Sequence, residues 1–196
     1  MFGWLLLIAL VAVVFWVIAA YNGLIALKNQ TFNAFKQIDV QLKRRHDLIP
    51  NLINAVRGAM DFEKSTLEAV IQARNQAVKI QADATPGKGV KALAAAEAQL
   101  GAALNRLNVV VEQYPQLKAT ANIGQLQEEL ASTENRVGFA RQMYNDTATQ
   151  YNTKQQQFPT NLVAGLAKAE VTELWEIEDQ AERAVPQVDL SMKPRQ

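Results

Sequence analysis

The chain of 196 residues contains no cysteine and a single histidine, His46. The first absence excludes disulfides, thiolate metal sites and cysteine nucleophiles, and the second leaves no room for a His-rich metal centre. Opposite charges nearly cancel, 20 Lys and Arg against 19 Asp and Glu, so no broad field exists to gather nucleic acid over the surface. No segment carries the alternating pattern of a half-buried strand. What remains is a chain built of helices, without a recognisable catalytic set. Neither a cofactor nor a metal is expected.

Charge is also missing locally. The first 27 residues carry no charged side chain, whereas residues 28–45 carry five basic ones, Lys28, Lys36, Lys43, Arg44 and Arg45, against the single acid Asp39. A bilayer core of ~30 Å needs about 20 mostly apolar helical residues. Residues 2–20, FGWLLLIALVAVVFWVIAA, meet that need without Asp, Glu, Lys, Arg, Asn, Gln or Pro. Trp4, Trp16 and Tyr21 lie towards the two ends of the run, where amphipathic rings favour the headgroup layer. A cleaved secretory signal would place basic residues before a shorter apolar run. The segment is therefore read as an uncleaved transmembrane anchor, residues 1–22. The basic flank on its C-terminal side predicts the N-terminus outside and the body cytoplasmic, with a periplasmic body as the alternative.

Beyond the anchor the apolar residues keep helical spacing almost throughout. In residues 122–157, Ile123, Leu126, Leu130, Thr133, Val137, Ala140, Tyr144, Thr147 and Tyr151 fall at alternating steps of three and four, the seam of a coiled-coil helix. Val90, Leu93, Leu100, Leu104, Leu107, Val111 and Tyr114 form a second stripe, interrupted by Glu97 at a seam position. The short link Tyr114-Pro115-Gln116 predicts an antiparallel hairpin between these two helices. Asp47 as cap and Pro50 in a first turn predict another helix start, with an apolar face of Leu52, Ile53, Val56, Met60, Leu67, Val70, Ile71 and Val78. Leu24, Phe35, Ile38 and Leu42 carry a stripe straight out of the membrane, which implies a helix continuous to a bend near Pro50. Glu170, Glu173, Glu176, Glu178, Asp179 and Glu182 read as a short acidic amphipathic segment, and Pro186 and Pro194 break a flexible tail, residues 184–196. The fold class is all-α: an N-terminal transmembrane helix continuing into an antiparallel long-helix bundle over residues 23–183.

Each charged group has a bland reading. His46, beside Arg44, Arg45 and Asp47, reads as a solvated or bundle-edge residue, because no nucleophile or metal partner accompanies it. The sequence TPGKG at residues 85–89 lacks the spacing, the following Ser or Thr and the preceding strand of a phosphate loop. Adjacent acids such as Glu128 and Glu129 do not face each other on a helix. Lys43, Arg44 and Arg45 lie ~30 Å beyond the membrane edge on a straight helix. Their bland reading is a solvated helix end that also sets topology; as a contact, Glu173 and Glu176 of a neighbouring chain are a more economical expectation than lipid. Glu134, Asn135, Arg141, Asn145 and Asn152 are expected to form an interhelical polar network that fixes register.

Four stretches together are similar to one family. They are YNGLIALKNQ (residues 21–30), QIDVQLKRRHDLIPNLI (37–53), LQEELASTENRVGFARQMYND (126–146) and YNTKQQQFPTNLVAGL (151–166). They closely resemble the LemA family of bacterial membrane-anchored helical proteins over residues 21–182, with His46 where the family more often shows tyrosine. The resemblance implies a single-pass anchor in the bacterial inner membrane, a long-helix bundle and no established enzymatic activity. It also implies kinship with members associated with membrane invagination, and with others encoded beside membrane proteases. The expected function is a non-enzymatic homo-oligomer that scaffolds or shapes the bilayer. The alternative is an adaptor or regulator of a membrane-bound partner such as a protease.

Overall fold

In a computed structural model that describes residues 2–57, 64–114 and 121–176, the protein is helical, with no strand among those residues. Its elements are α1 (Phe2–Arg57), α2 (Lys64–Asp83), α3 (Val90–Glu112), α4 (Ala121–Gln156) and the short α5 (Asn161–Ala164). Met60, the Pro115-Gln116 link, Glu178, Asp179, Glu182 and the tail from residue 184 lie outside the described residues.

The helix α1 is a single element of 56 residues, about 80 Å at 1.5 Å per residue. Its N-terminal part is long and apolar enough to cross a membrane, and none of that stretch is buried in the isolated chain. Leu24 is its first buried residue, and Ala34, Phe35, Ile38, Leu42 and Ile49 continue the buried stripe. The expected helix start at Asp47 is not observed: α1 runs through Pro50 to Arg57. Proline at this position lacks the N–H that would bond the carbonyl four residues back, at His46. That carbonyl instead accepts a hydrogen bond from Arg74 Nε of α2 at 3.3 Å. A long-range donor thus replaces the local one. The apolar stripe assigned to one third helix is divided between the end of α1 and α2.

Contacts fix the directions. Gln81 Nε2 donates to the Asp39 carbonyl at 3.0 Å and Arg74 meets His46, so α2 returns along α1. Phe35 packs edge-on against Tyr144 with ring centroids 5.8 Å apart, while residue 45 meets residue 134, so α4 is also antiparallel to α1. The most extensive helix contacts are α1 with α4 and α2 with α3. The hairpin expected between α3 and α4 is therefore not the main pairing. Where α1 and α4 pack, Ala34, Ala140 and Ala148 are buried, and small side chains let backbones approach closely. Between α2 and α3 the reversal is a tight turn: Lys88 N–H donates to the Thr85 carbonyl at 2.9 Å, across Pro86 and Gly87 (φ +90°). Proline followed by a positive-φ glycine is the signature of a type II turn. The TPGKG motif is this turn.

Two apolar clusters fill the bundle. One, nearer the anchor, joins Phe35, Ile38, Leu42, Val90, Leu93, Val137, Tyr144 and Trp175. The other joins Leu52, Ile53, Val56, Leu67, Val70, Leu100, Leu107 and Ile123. Between them lies a polar layer.

Candidate functional site: a buried ion network and an extended strap

The polar layer begins with Glu97, the residue that interrupts the apolar seam of α3. It is 3% exposed, and its neighbours Arg45 and His46 are 6% and 2% exposed. His46 Nε2 donates to Glu97 Oε1 at 2.7 Å, since an ionised carboxylate can only accept. Nδ1 is buried without a partner. Arg45 Nη1 donates to Glu97 Oε2 at 3.3 Å and also lies 2.8 Å from Glu134 Oε2 of α4. The second approach is off the N–H direction, so it acts by charge rather than as an aligned hydrogen bond. Glu134 Oε1 accepts from Arg141 Nη2 at 3.0 Å, and the Arg141 guanidinium lies 5.4 Å from the Trp175 ring centroid. The network thus links α1, α3, α4 and the segment after α5. Two guanidiniums, of Arg45 and Arg141, face two carboxylates, of Glu97 and Glu134.

This corrects the sequence reading at two residues. His46 is interior rather than solvated. Arg45 points inward into the network, so only Lys43 and Arg44 of the basic run are exposed. The reason is the register of α1, where residues 42, 45, 46 and 49 share the buried face.

Above Arg45 a cleft of about 340 Å³ opens between α3 and α4, lined in part by Gly101, Asn105, Gln127, Leu130 and Glu134. Gly101 faces the guanidinium, and a Cβ there would sit in ordinary contact, 3.7 Å from Arg45 Nη2. The lining supplies amides, one guanidinium and a carboxylate already held by cations, but no hydroxyl or thiol to act as a nucleophile.

The segment after α5 was expected to be an amphipathic acidic element. Residues 169–176 are instead extended, and they are held by amide side chains of α4. Asn152 Nδ2 donates to the Thr172 carbonyl while Thr172 N–H donates to Asn152 Oδ1, both at 2.8 Å. Asn145 repeats this with Trp175, at 3.0 and 2.8 Å. Seven helical residues rise about 10.5 Å, and three extended residues span ~10 Å. The spacing of the two asparagines therefore matches the spacing of the two backbone units. Of the expected polar row, Glu134 and Arg141 belong to the ion network, Asn145 and Asn152 hold the strap, and Asn135 is exposed.

Glu173, at the centre of the strap, accepts from the Val90 and Lys91 N–H groups at 3.0 and 3.4 Å. Gly89 precedes α3 in a left-handed conformation and has no side chain to cap it, so Glu173 supplies the missing carboxylate. Glu176 and Lys91 form a half-exposed ion pair at 3.3 Å. In this chain Glu173 and Glu176 meet α3, not the basic run of α1.

Tyr144 Oη donates to the Glu173 carbonyl at 2.7 Å. Burial pushes the phenol up from 10.0 to about 12; the Gly87 backbone opposes the rise and the Glu173 charge adds to it. A raised acid pKa means that the folded state keeps its proton longer than the unfolded state. This contribution to stability is complete below pH 10 and is lost as pH rises towards 12. Phenolate absorbance should show a late-titrating tyrosine that Tyr144→Phe removes; ionisation of all four tyrosines at the ordinary value in the folded protein would contradict it.

A family model described as the LemA family matches residues 34–190. The chain is similar to Protein LemA of Metamycoplasma hominis, 31% identical over 143 residues, covering 73% of this chain and 63% of that protein's length. It is also similar to Magnetosome protein MamQ 2 of Paramagnetospirillum magneticum, 25% identical over 185 residues, covering 83% of this chain and 68% of the relative. Magnetosome protein MamQ of Magnetospirillum gryphiswaldense is 23% identical over 176 residues, covering 80% and 65%.

Proposed function

Because this chain belongs to the LemA family, we propose that it is a non-enzymatic, single-pass membrane scaffold whose copies associate side by side and shape the bilayer that anchors them. The observation that carries this reading is the unbroken α1. One helix passes from an exposed apolar stretch into a packed bundle, with Leu24 already buried and no loop between. A body coupled rigidly to its anchor transmits its own packing geometry to the bilayer. Many tilted anchors in an array impose curvature that one cannot.

The exposed faces support self-association. Phe139 on α4 is 75% exposed, and Val40, at the same height on the antiparallel α1, is exposed too. Met143 and Phe32 add apolar surface on the same two helices. The basic flank favours a cytoplasmic body, and the relatives named as magnetosome proteins accord with a role in membrane organisation.

Mass photometry of the full chain in mild detergent is expected to show large homo-oligomers, and Phe139→Glu is expected to shift them to smaller species. A strictly monomeric or dimeric population across concentrations would overturn the scaffold reading.

A further inference from the structure

The end of the bundle nearest the anchor presents apolar side chains that no contact among the described residues covers. Phe158, Leu162 and Leu166 are 80%, 67% and 71% exposed. Leu162 and Leu166 stand four residues apart, so on a helical path they share one face, and Phe158 is exposed at the turn that leads into it. The opposite face, Thr160, Val163 and Ala167, is buried. From Thr160 onwards the path is close to helical: Ala164 N–H donates to the Thr160 carbonyl and Ala167 N–H to the Val163 carbonyl, both at 3.1 Å, while Phe158 precedes it across the cis Phe158-Pro159 bond. The segment therefore has one face packed on the bundle, where α5 touches both α1 and α4, and one apolar face turned away from it.

Its height is set by α1. Leu27 shares a shallow cleft with Thr153, Lys154 and Gln157, so the last turn of α4 ends level with it. Leu24 to Leu27 stand about 5–9 Å beyond Tyr21 along the helix. The headgroup layer adds roughly 5–8 Å on each side of the hydrocarbon core. Since α4 runs towards the anchor, the turn that follows it lies closest of the bundle to the bilayer. Exposed Lys28, Lys154 and Lys168 surround this end, and Lys28 and Lys168 line one cleft of about 510 Å³. An apolar face with exposed lysines at the same end of the bundle is a composition that favours the membrane interface.

We propose that residues 157–168 form a membrane foot, with Phe158, Leu162 and Leu166 seated in the headgroup layer of the same bilayer that α1 crosses. The proposal rests on the anchor reading of α1 and adds a second point of attachment to it. Two points define an orientation. A single helix can tilt and rotate about its axis, whereas a helix with a foot holds the bundle on one fixed side.

The absence of cysteine makes the test direct. Full-length chains carrying Val13→Cys, Leu162→Cys or Phe139→Cys, each labelled with an environment-sensitive fluorophore, are reconstituted into vesicles containing phosphatidylglycerol and lipids with quenchers at shallow or deep acyl positions. Val13 should be quenched best by the deep quencher, Leu162 by the shallow one, and both severalfold more than Phe139. Adding Phe158→Asp and Leu166→Asp should abolish quenching at Leu162 and leave that at Val13. Leu162 behaving like Phe139 while Val13 is quenched would overturn the foot and leave the anchor intact. An unquenched Val13 would remove the anchor reading and the foot with it. Shielding of Leu162 from aqueous iodide only as protein density rises, without lipid quenching, would assign the face to a second copy and overturn the proposal.

Discussion

Replacing Glu97 with alanine is expected to destabilise the bundle by about 3–5 kcal/mol, because it leaves Arg45 and His46 buried without their shared carboxylate. Glu134, 2.8 Å from Arg45 but half-exposed and shared with Arg141, offsets only part of that loss and does nothing for His46. The triple replacement Arg45→Met, His46→Leu, Glu97→Leu is expected to recover most of that loss, since well-packed apolar groups of similar volume often match a buried ion network. Denaturant unfolding of the full chain in detergent, followed by helicity, measures both. The difference between single and triple variants identifies the cost as that of stranded charge. A loss below about 1 kcal/mol for Glu97→Ala would mean that water reaches the layer and solvates Arg45. The network then stands as a device of register: α1, α3 and α4 match their charges at one relative height.

Replacing Asn145 and Asn152 with alanine is expected to release the strap while α4 stays helical. Each side chain makes a donor and an acceptor bond to a backbone unit, and losing both costs about 1–3 kcal/mol. Amide hydrogen exchange at Thr172 and Trp175 should accelerate by roughly tenfold to a hundredfold for each clamp removed. The double variant should also expose residues 169–176 to proteolysis. Release has a second consequence, because the strap carries Glu173 to the N-terminus of α3 and Trp175 to the face of Arg141. The first turn of α3 should therefore lose protection too. Unchanged exchange at Val90 and Lys91 in the double variant would show that Glu173 holds its place without the asparagines.

Much of this architecture is legible in helical spacing. The seam read along α4 is the buried stripe at Ile123, Thr133, Val137, Ala140, Tyr144 and Tyr151, and the α3 stripe is buried from Val90 to Val111. Near the end of α4 the stripe moves from Thr147 to Ala148, whose methyl fits against α1, while Thr147 Oγ1 bonds back to the Met143 carbonyl at 3.0 Å. Glu97 is visible as the flaw in its seam. Its partners are not, because Arg45 and His46 lie 52 and 51 residues away and a single sequence holds no record of pairing.

Pro50 and the acidic strap show where local rules give way. A proline normally opens or breaks a helix because it strands the carbonyl one turn back; Arg74 of another helix supplies the donor. Residues 170–176 have the charge pattern of a helix face, yet helix formation in a short polar segment is marginal. The two asparagines of α4 offer its backbone better partners in the extended form.

The residues alone determine the apolar head, the helical class and the position of each long buried stripe, since these follow from hydrophobic period and chain-local sterics. The tertiary structure alone decides which helices pair, that α1 is unbroken at Pro50, that Arg45 faces inward and that the strap is extended. Those outcomes depend on hydrogen-bond and charge partners distant in the chain, whose free energy outweighs the local preference only once the bundle has assembled.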